Sequence, residues 1–262
     1  MGRPKRFNVV EMGAGRGSMA YSLLNWIREL NPEFYESISY HILEYGEGLI
    51  PNQRNRLQSH EDKVTWVRAS AYQLPFSNLE GAFISNELPD AFPVEVVKRV
   101  NGEIKQKYVA SENGNWVEIF ADPSPEVREY IDKYGINIAE DTEEPININA
   151  AKLQDQMDKA LKRGIILTID YGKNGEVGAN GKNAIRIFGA EAQAKALEKN
   201  IVPNPYSDPG AFDITASINF KVLGEFATDD GLQTVFVGKQ GDFLDKNGID
   251  KIWYRMLDKY DE

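Results

Sequence analysis

The chain has 262 residues, 42% hydrophobic and 27% charged, close to globular averages, which excludes collagen-like, disordered and disulfide-scaffold classes and suits a single domain with an appendage. With no cysteine and only two histidines, disulfides, thiolate metal sites and cysteine nucleophiles are excluded and no metal centre is expected. The formal charge of −10, with basic residues clustered only at Arg3, Lys5 and Arg6, argues against a nucleic-acid partner.

The longest apolar runs, such as Ile165 to Ile169, fall far short of the ~20 residues that cross a bilayer. No signal-peptide core follows the basic start. The expectation is a cytoplasmic protein with no membrane partner.

In chain order, Phe7 to Met12 reads as a strand buried on both faces, and Ser18 to Leu30 as a helix from its apolar spacing of three and four. Ser39 to Leu43 is the second strand, Leu49 to Leu57 a helix, Val64 to Val67 the third strand and Gly81 to Ser85 the fourth. Glu103 to Ala110 and Trp116 to Phe120 flank an Asn113-Gly114 turn, which predicts a β-hairpin inserted as a flap. Pro125 to Tyr134 reads as a helix and Asn137 to Asn147 as an exposed acidic loop, so the flap and a helical segment fill about 95–147. Ala150 to Arg163 is a predicted helix with Gly164 as its C-cap, and Ile165 to Asp170 the fifth strand. Gly172 to Gly181 is expected to be a mobile loop. Val222 to Phe226 and Gln233 to Val237 are expected to form an antiparallel terminal hairpin. The expected fold is α/β: a doubly wound, seven-stranded Rossmann-like sheet with that hairpin at its edge, all within one domain of residues 1–262.

The sharpest local signal is Glu11-Met12-Gly13-Ala14-Gly15-Arg16-Gly17-Ser18, a glycine-rich turn between a buried strand and a helix. Glycines permit a tight turn with positive φ and let a ligand lie on the backbone at the carboxyl edge of the sheet, so Gly13, Ala14, Gly15 and Gly17 are cofactor-binding candidates. A phosphate-binding loop would need a lysine before Ser18, and a dinucleotide fingerprint would place its third glycine further along. Glu11 instead suits a cationic group such as an amino-acid ammonium. Glu44, ending the second strand, is placed to accept hydrogen bonds from ribose hydroxyls, and Ser70 and Ala71 follow the third strand at the rim position suited to an adenine edge.

The stretches VEMGAGRG (Val10 to Gly17), HILE (His41 to Glu44), ISNELPDAFPV (Ile84 to Val94), LTIDYG (Leu167 to Gly172) and PGAFDITASINF (Pro209 to Phe220) resemble the MidA family of class I S-adenosylmethionine-dependent methyltransferases, whose best-known members are protein arginine methyltransferases of complex I assembly. The resemblance spans roughly Val9 to Gly238 and implies S-adenosylmethionine as cofactor. The family's longer amino-terminal segment does not precede the first strand here, and Leu88 and Pro89 stand where bulky or aromatic residues are more usual. The chain is therefore expected to be either a piece of a larger polypeptide or assembly, or a shorter relative.

Ser85, ending the fourth strand, is a further cofactor-side candidate, and the residues after it face the acceptor. Asn86 can orient a hydroxyl or amine, and Glu87 or Asp90 can take its proton, although Asp90 could equally cap the following helix. Asp170 and Tyr171 form the opposite wall, with Tyr171 placed to stack on the acceptor or to pack in the core. His41 is expected to pack and His60 to be solvated, so neither serves as a base. The expected activity is O-methylation of a hydroxyl on a small or carrier-tethered metabolite, with protein arginine N-methylation as the alternative. A nicotinamide oxidoreductase and a non-catalytic partner-binding module are the rival classes.

Overall fold

The computed structural model describes residues 4–175, 184–188, 205–206, 210, 212–229 and 231–253. Strand β1 (Phe7–Met12) runs into the glycine turn and helix α1 (Ser18–Leu30). A short helix α2 (Pro32–Ser37) follows, started by the Asn31 side chain, which accepts from the Phe34 N–H, and by Pro32 in the first turn; Asn-Pro is a capped helix start. Next come β2 (Ile38–Glu44), α3 (Ile50–Arg56), β3 (Val64–Arg68) and β4 (Leu79–Asn86). A 3-10 turn over Pro89–Ala91 leads to β5 (Glu95–Val100), β6 (Glu103–Glu112), β7 (Asn115–Ala121), α4 (Pro125–Lys133) and β8 (Glu143–Ile146). Helix α5 (Ile148–Ala160) then returns the chain to β9 (Leu161–Ile169).

The central sheet has five parallel strands in the order β3-β2-β1-β4-β9. Side chains alternate between its faces along β1. Val9 packs with Leu24, Tyr40, Ile42 and Leu57 on one side, and Val10 and Met12 pack with Phe83, Leu153 and Met157 on the other. The strand order reverses between β1 and β4, which opens a crevice at their carboxyl ends, where sheets of this type bind ligands.

A second, four-stranded antiparallel sheet of order β7-β6-β5-β8 is built from the segment between β4 and α5. It has its own core, with Val97, Val127, Ile131, Ile138 and Ile146 buried together against α4. It meets the central sheet at the carboxyl edge of β4 and β9: the Asn147 amide donates to the Pro89 carbonyl at 2.8 Å, and Lys173 pairs with buried Glu144 at 2.7 Å.

Several expectations are corrected. The flap over Glu103 to Phe120 is a hairpin, but it belongs to this larger sheet. The acidic segment 137–147 is no open loop, since Glu143–Ile146 forms β8 and Ile138, Glu144 and Ile146 are buried. The seven-stranded count is not reached among the described residues, where the central sheet has five strands. The terminal hairpin is absent: Phe220–Asp229 is a helix, started where the Asn219 side chain accepts from the Val222 N–H, and Gln233 to Val237 forms no strand. Val222, Leu223, Phe226 and Ala227 recur at three and four, the spacing of a helix face. Gly164 lies inside β9 rather than capping α5, which stops at Ala160. Of the loop expected at Gly172 to Gly181, Gly172 and Lys173 form a short strand, β10, paired with Ile218 and Asn219; residues 176–181 lie outside the described residues.

Candidate cofactor and acceptor site

The glycine turn adopts the conformation its composition requires. Gly13, Gly15 and Gly17 all have positive φ, at 69°, 52° and 73°, where side chains are strained. A Cβ on Gly13 would come 3.2 Å from the Leu88 Cδ1, whereas one on Gly15 would meet nothing within 4 Å. The turn therefore touches the acceptor loop at one end and leaves room above its backbone at the other. Ala14 is buried beneath it, and its carbonyl accepts from the Gly17 N–H at 2.8 Å.

Glu11 is 2% exposed and accepts from the Tyr40 hydroxyl at 2.7 Å. Burial pushes its carboxyl above the usual range, and the Tyr40 hydrogen bond opposes the shift. An ammonium beside it would restore the charged form. Glu44, at the end of β2, is held from two sides: Oε1 accepts from the Tyr45 and Gly46 N–H groups and Oε2 from the Gln53 amide at 2.9 Å. Beyond β3, the Ser70 hydroxyl accepts from the Tyr72 N–H, and half-buried Ala71 packs beside the cluster of Val10, Met12 and Phe83. Ser85 pairs in register with Met12 at the switch point and is 1% exposed, and among the described residues its hydroxyl has no partner.

On the acceptor side, Asn86 is half-buried and Glu87 exposed, with φ 51°. The Glu87 N–H donates to the Ile169 carbonyl at 2.9 Å, which ties the end of β4 to that of β9. Asp90 is buried, and its N–H donates to the Asp170 Oδ2 at 3.1 Å; the Tyr171 N–H donates to Oδ1 of the same carboxyl. Asp170 is pushed up to about 7 by burial and by Asp90, against the pull of those two N–H groups. Asp90 is raised by burial and by Glu87. The structure thus gathers Glu87, Asp90 and Asp170 into one acidic edge. Tyr171 is 56% exposed, so it does not pack in a core, and its carbonyl accepts from Ile218.

Two residues outside the expected site, Tyr40 and Gln53, matter to it, and a third, Asp170, does more than form a wall. Asp170, read from sequence only as a wall, is the hub of the acidic edge; its place directly after an apolar strand was the available signal. Tyr40, inside β2, holds Glu11. Gln53 gave no signal within the polar stretch Ile50–Arg56. One expectation about histidine is reversed: His60 is fully buried, accepting at Nδ1 from the Tyr35 hydroxyl and donating from Nε2 to the Asn25 Oδ1, and burial lowers its pKa. His41 packs as expected, edge-on to Phe76.

The family profile of S-adenosyl-L-methionine-dependent methyltransferases matches residues 1–237. The chain belongs to that family. S-adenosylmethionine is the cofactor of that family, and the resemblance to the MidA family is borne out. The chain is 23% identical over 265 residues to the mitochondrial protein arginine methyltransferase NDUFAF7 homolog of Drosophila melanogaster, covering 88% of this chain and 55% of the relative. It is 24% identical over 297 residues to the mitochondrial protein arginine methyltransferase NDUFAF7 of Danio rerio, covering 99% of this chain and 63% of the relative. It therefore spans a little over half the length of these curated relatives. A Burkholderia thailandensis protein crystallised with S-adenosyl-homocysteine shares the fold, with a TM-score of 0.79 at 23% identity, covering 95% of this chain and 62% of the other.

The residues present fit the cofactor. Open space over Gly15, a fixed carboxylate at Glu44, a buried carboxyl at Glu11 and an orphaned hydroxyl at Ser85 offer backbone room, acceptors and a donor around one crevice.

Proposed function

We propose that this methyltransferase transfers a methyl group to an arginine side chain of a protein, with Glu11, Gly13, Ala14, Gly15, Gly17, Glu44, Ser70, Ala71 and Ser85 around the cofactor and Asn86, Glu87, Asp90 and Tyr171 facing the acceptor, joined there by Asp170. The observation that carries the reading is the acidic edge formed by Glu87, Asp90 and Asp170 where β4 and β9 end. A guanidinium is a planar cation with several donors, and adjacent carboxylates hold and orient it bidentately. The curated relatives are named as protein arginine methyltransferases, and a chain of net charge −10 attracts basic segments.

Bound cofactor would supply a methyl group on a sulfonium, whose S–C bond breaks to leave a neutral thioether. The carboxylates neutralise the guanidinium, aim one nitrogen at the methyl and take the proton that nitrogen gives up as the N–C bond forms. Alignment supplies much of the rate for such a donor, and exposed Tyr171 can stack on the guanidinium plane.

A second reading, O-methylation of a small or carrier-tethered hydroxyl, is favoured by Asp170 itself, since a carboxyl pushed up to about 7 suits a single proton abstraction. The experiment is transfer from isotopically labelled cofactor to arginine-containing basic peptides and to a panel of hydroxyacyl carriers. Arginine methylation predicts label in the peptides, with Glu87→Gln and Asp90→Asn each raising the peptide KM by about tenfold for the lost charge pairing. Label on carriers alone, with KM unchanged in those variants, would sink the arginine reading.

A further inference from the structure

Gln53 is the side chain of α3 that the cofactor assignment leaves unused, and it is more strongly bound than any packing role requires. It has no exposed surface. Its Nε2 donates to the Gly15 carbonyl at 2.9 Å and to the Glu44 Oε2 at 2.9 Å, and its Oε1 accepts from the Trp66 indole N–H at 3.0 Å. An indole N–H can only donate, and a carbonyl or carboxylate oxygen can only accept. The amide therefore has one orientation here, with its oxygen towards Trp66 and both N–H bonds directed at the cofactor walls. Trp66 is itself fixed by the Arg54 guanidinium, which lies 4.3 Å over its ring.

We propose that Gln53 is a positioning residue for cofactor recognition: one buried amide locks the glycine turn to the Glu44 carboxylate, setting the distance and angle between the two surfaces that grip opposite parts of the cofactor. The inference rests on the reading that Glu44 faces the ribose hydroxyls. With Oε1 held by the Tyr45 and Gly46 N–H groups and Oε2 by Gln53, the carboxylate loses its rotational freedom while keeping acceptor capacity for a further hydroxyl donor. A carboxylate fixed in advance binds without the cost of ordering it on ligand arrival. The Gly15 carbonyl, bonded to the same amide, ties the turn to the same reference point.

The test is a double-mutant cycle read by calorimetry with S-adenosylhomocysteine. Gln53→Met keeps the volume and removes both donors, so it should weaken binding about tenfold in the wild-type background. In a Glu44→Ala background, where no carboxylate remains to be positioned, the same substitution should change affinity by less than about threefold. Circular dichroism and thermal melting verify that the variants are folded. Should Gln53→Met fail to fold, Gln53→Leu, close in volume and likewise without donors, provides the same comparison. Equal losses in both backgrounds, or no loss in either, would overturn the positioning role. Wild-type affinity in Glu44→Ala alone would overturn it together with the ribose assignment, which separates the two failures.

Discussion

Asp170 joins charge and connectivity in one side chain. Its two oxygens accept from backbone N–H groups on either side of the crevice, one at Asp90 after β4 and one at Tyr171 after β9. Burial and the neighbouring Asp90 carboxyl nevertheless raise its pKa from the ordinary 3.8 to about 7. Between these values the folded chain holds a proton at Asp170 that the unfolded chain has released. Stability from this group is therefore complete at low pH and declines as pH rises towards about 7. Activity should run the other way, because a carboxylate that pairs with a guanidinium or removes a proton must be ionised. The expected outcome is a rise in turnover through about pH 7, together with a fall in melting temperature from about pH 4 to about pH 7, with Asp170→Asn flattening both trends. Because Asp90, Glu11 and the histidines also titrate differently on folding, the comparison that decides is the difference between the two proteins at each pH. Identical pH profiles would remove Asp170 from both roles.

At the scale of elements, the pairing of β4 with β9 brings the acidic edge together; Gly164 permits it, as Gly81 permits the pairing of β4 with β1. A Cβ on Gly164 would lie 1.9 Å from the Gly81 carbonyl oxygen, and one on Gly81 would lie 1.8 Å from the Asn8 carbonyl oxygen. Neither oxygen can give way, since each belongs to the backbone of the neighbouring strand. Gly164→Ala should therefore cost about 3 kcal/mol of stability, the upper end for overpacking, as measured by denaturant unfolding. Turnover should fall as well, because displacing β9 displaces Asp170.

The legibility of the elements has a physical pattern. Strands β1 to β4 and β9 could be read because parallel strands covered on both faces become short apolar runs, and the glycine turn because glycine takes positive φ at least cost. The run Val222 to Phe226 was misread because five apolar-rich residues do not separate strand from helix. β8 was missed because its buried Glu144 looks like a loop residue until its partner Lys173, 29 positions later, is known. In the site, Glu11, Glu44 and the glycines were readable from their places at strand ends. Gln53 was not, since its meaning lies in three partners contributed by three other segments.

For the whole molecule, the arrangement divides recognition between two sheets. The assigned cofactor residues lie on β1 to β4 and their connections, and the second sheet stands at the carboxyl edge of β4 and β9. Its outer strand β7 is exposed at every position but Val117. Trimming the hairpin by joining Tyr108 to Ile119, which are register partners, through an Asn-Gly turn removes the distal half and leaves the buried core around Val97 and Ile131 in place. Affinity for S-adenosylhomocysteine should stay within about twofold of the parent, while methyl transfer to a protein acceptor falls by at least about tenfold, a loss typical of removing remote substrate binding. A parallel loss of cofactor affinity would show that the two sheets do not divide the work.

The strand order also dictates a history for each molecule as it is made. β1, β2, β3 and β4 are complete by Asn86, yet the strand that covers the outer edge of β4 ends at Ile169. At synthesis rates of roughly 5–20 residues per second, that edge leaves the ribosome several seconds before its partner exists. An uncovered apolar edge is a template for pairing with another chain, so the newborn protein passes through an interval of exposure to aggregation. The intervening segment carries its own core, and its folding during that interval shortens the tether that must bring β9 back.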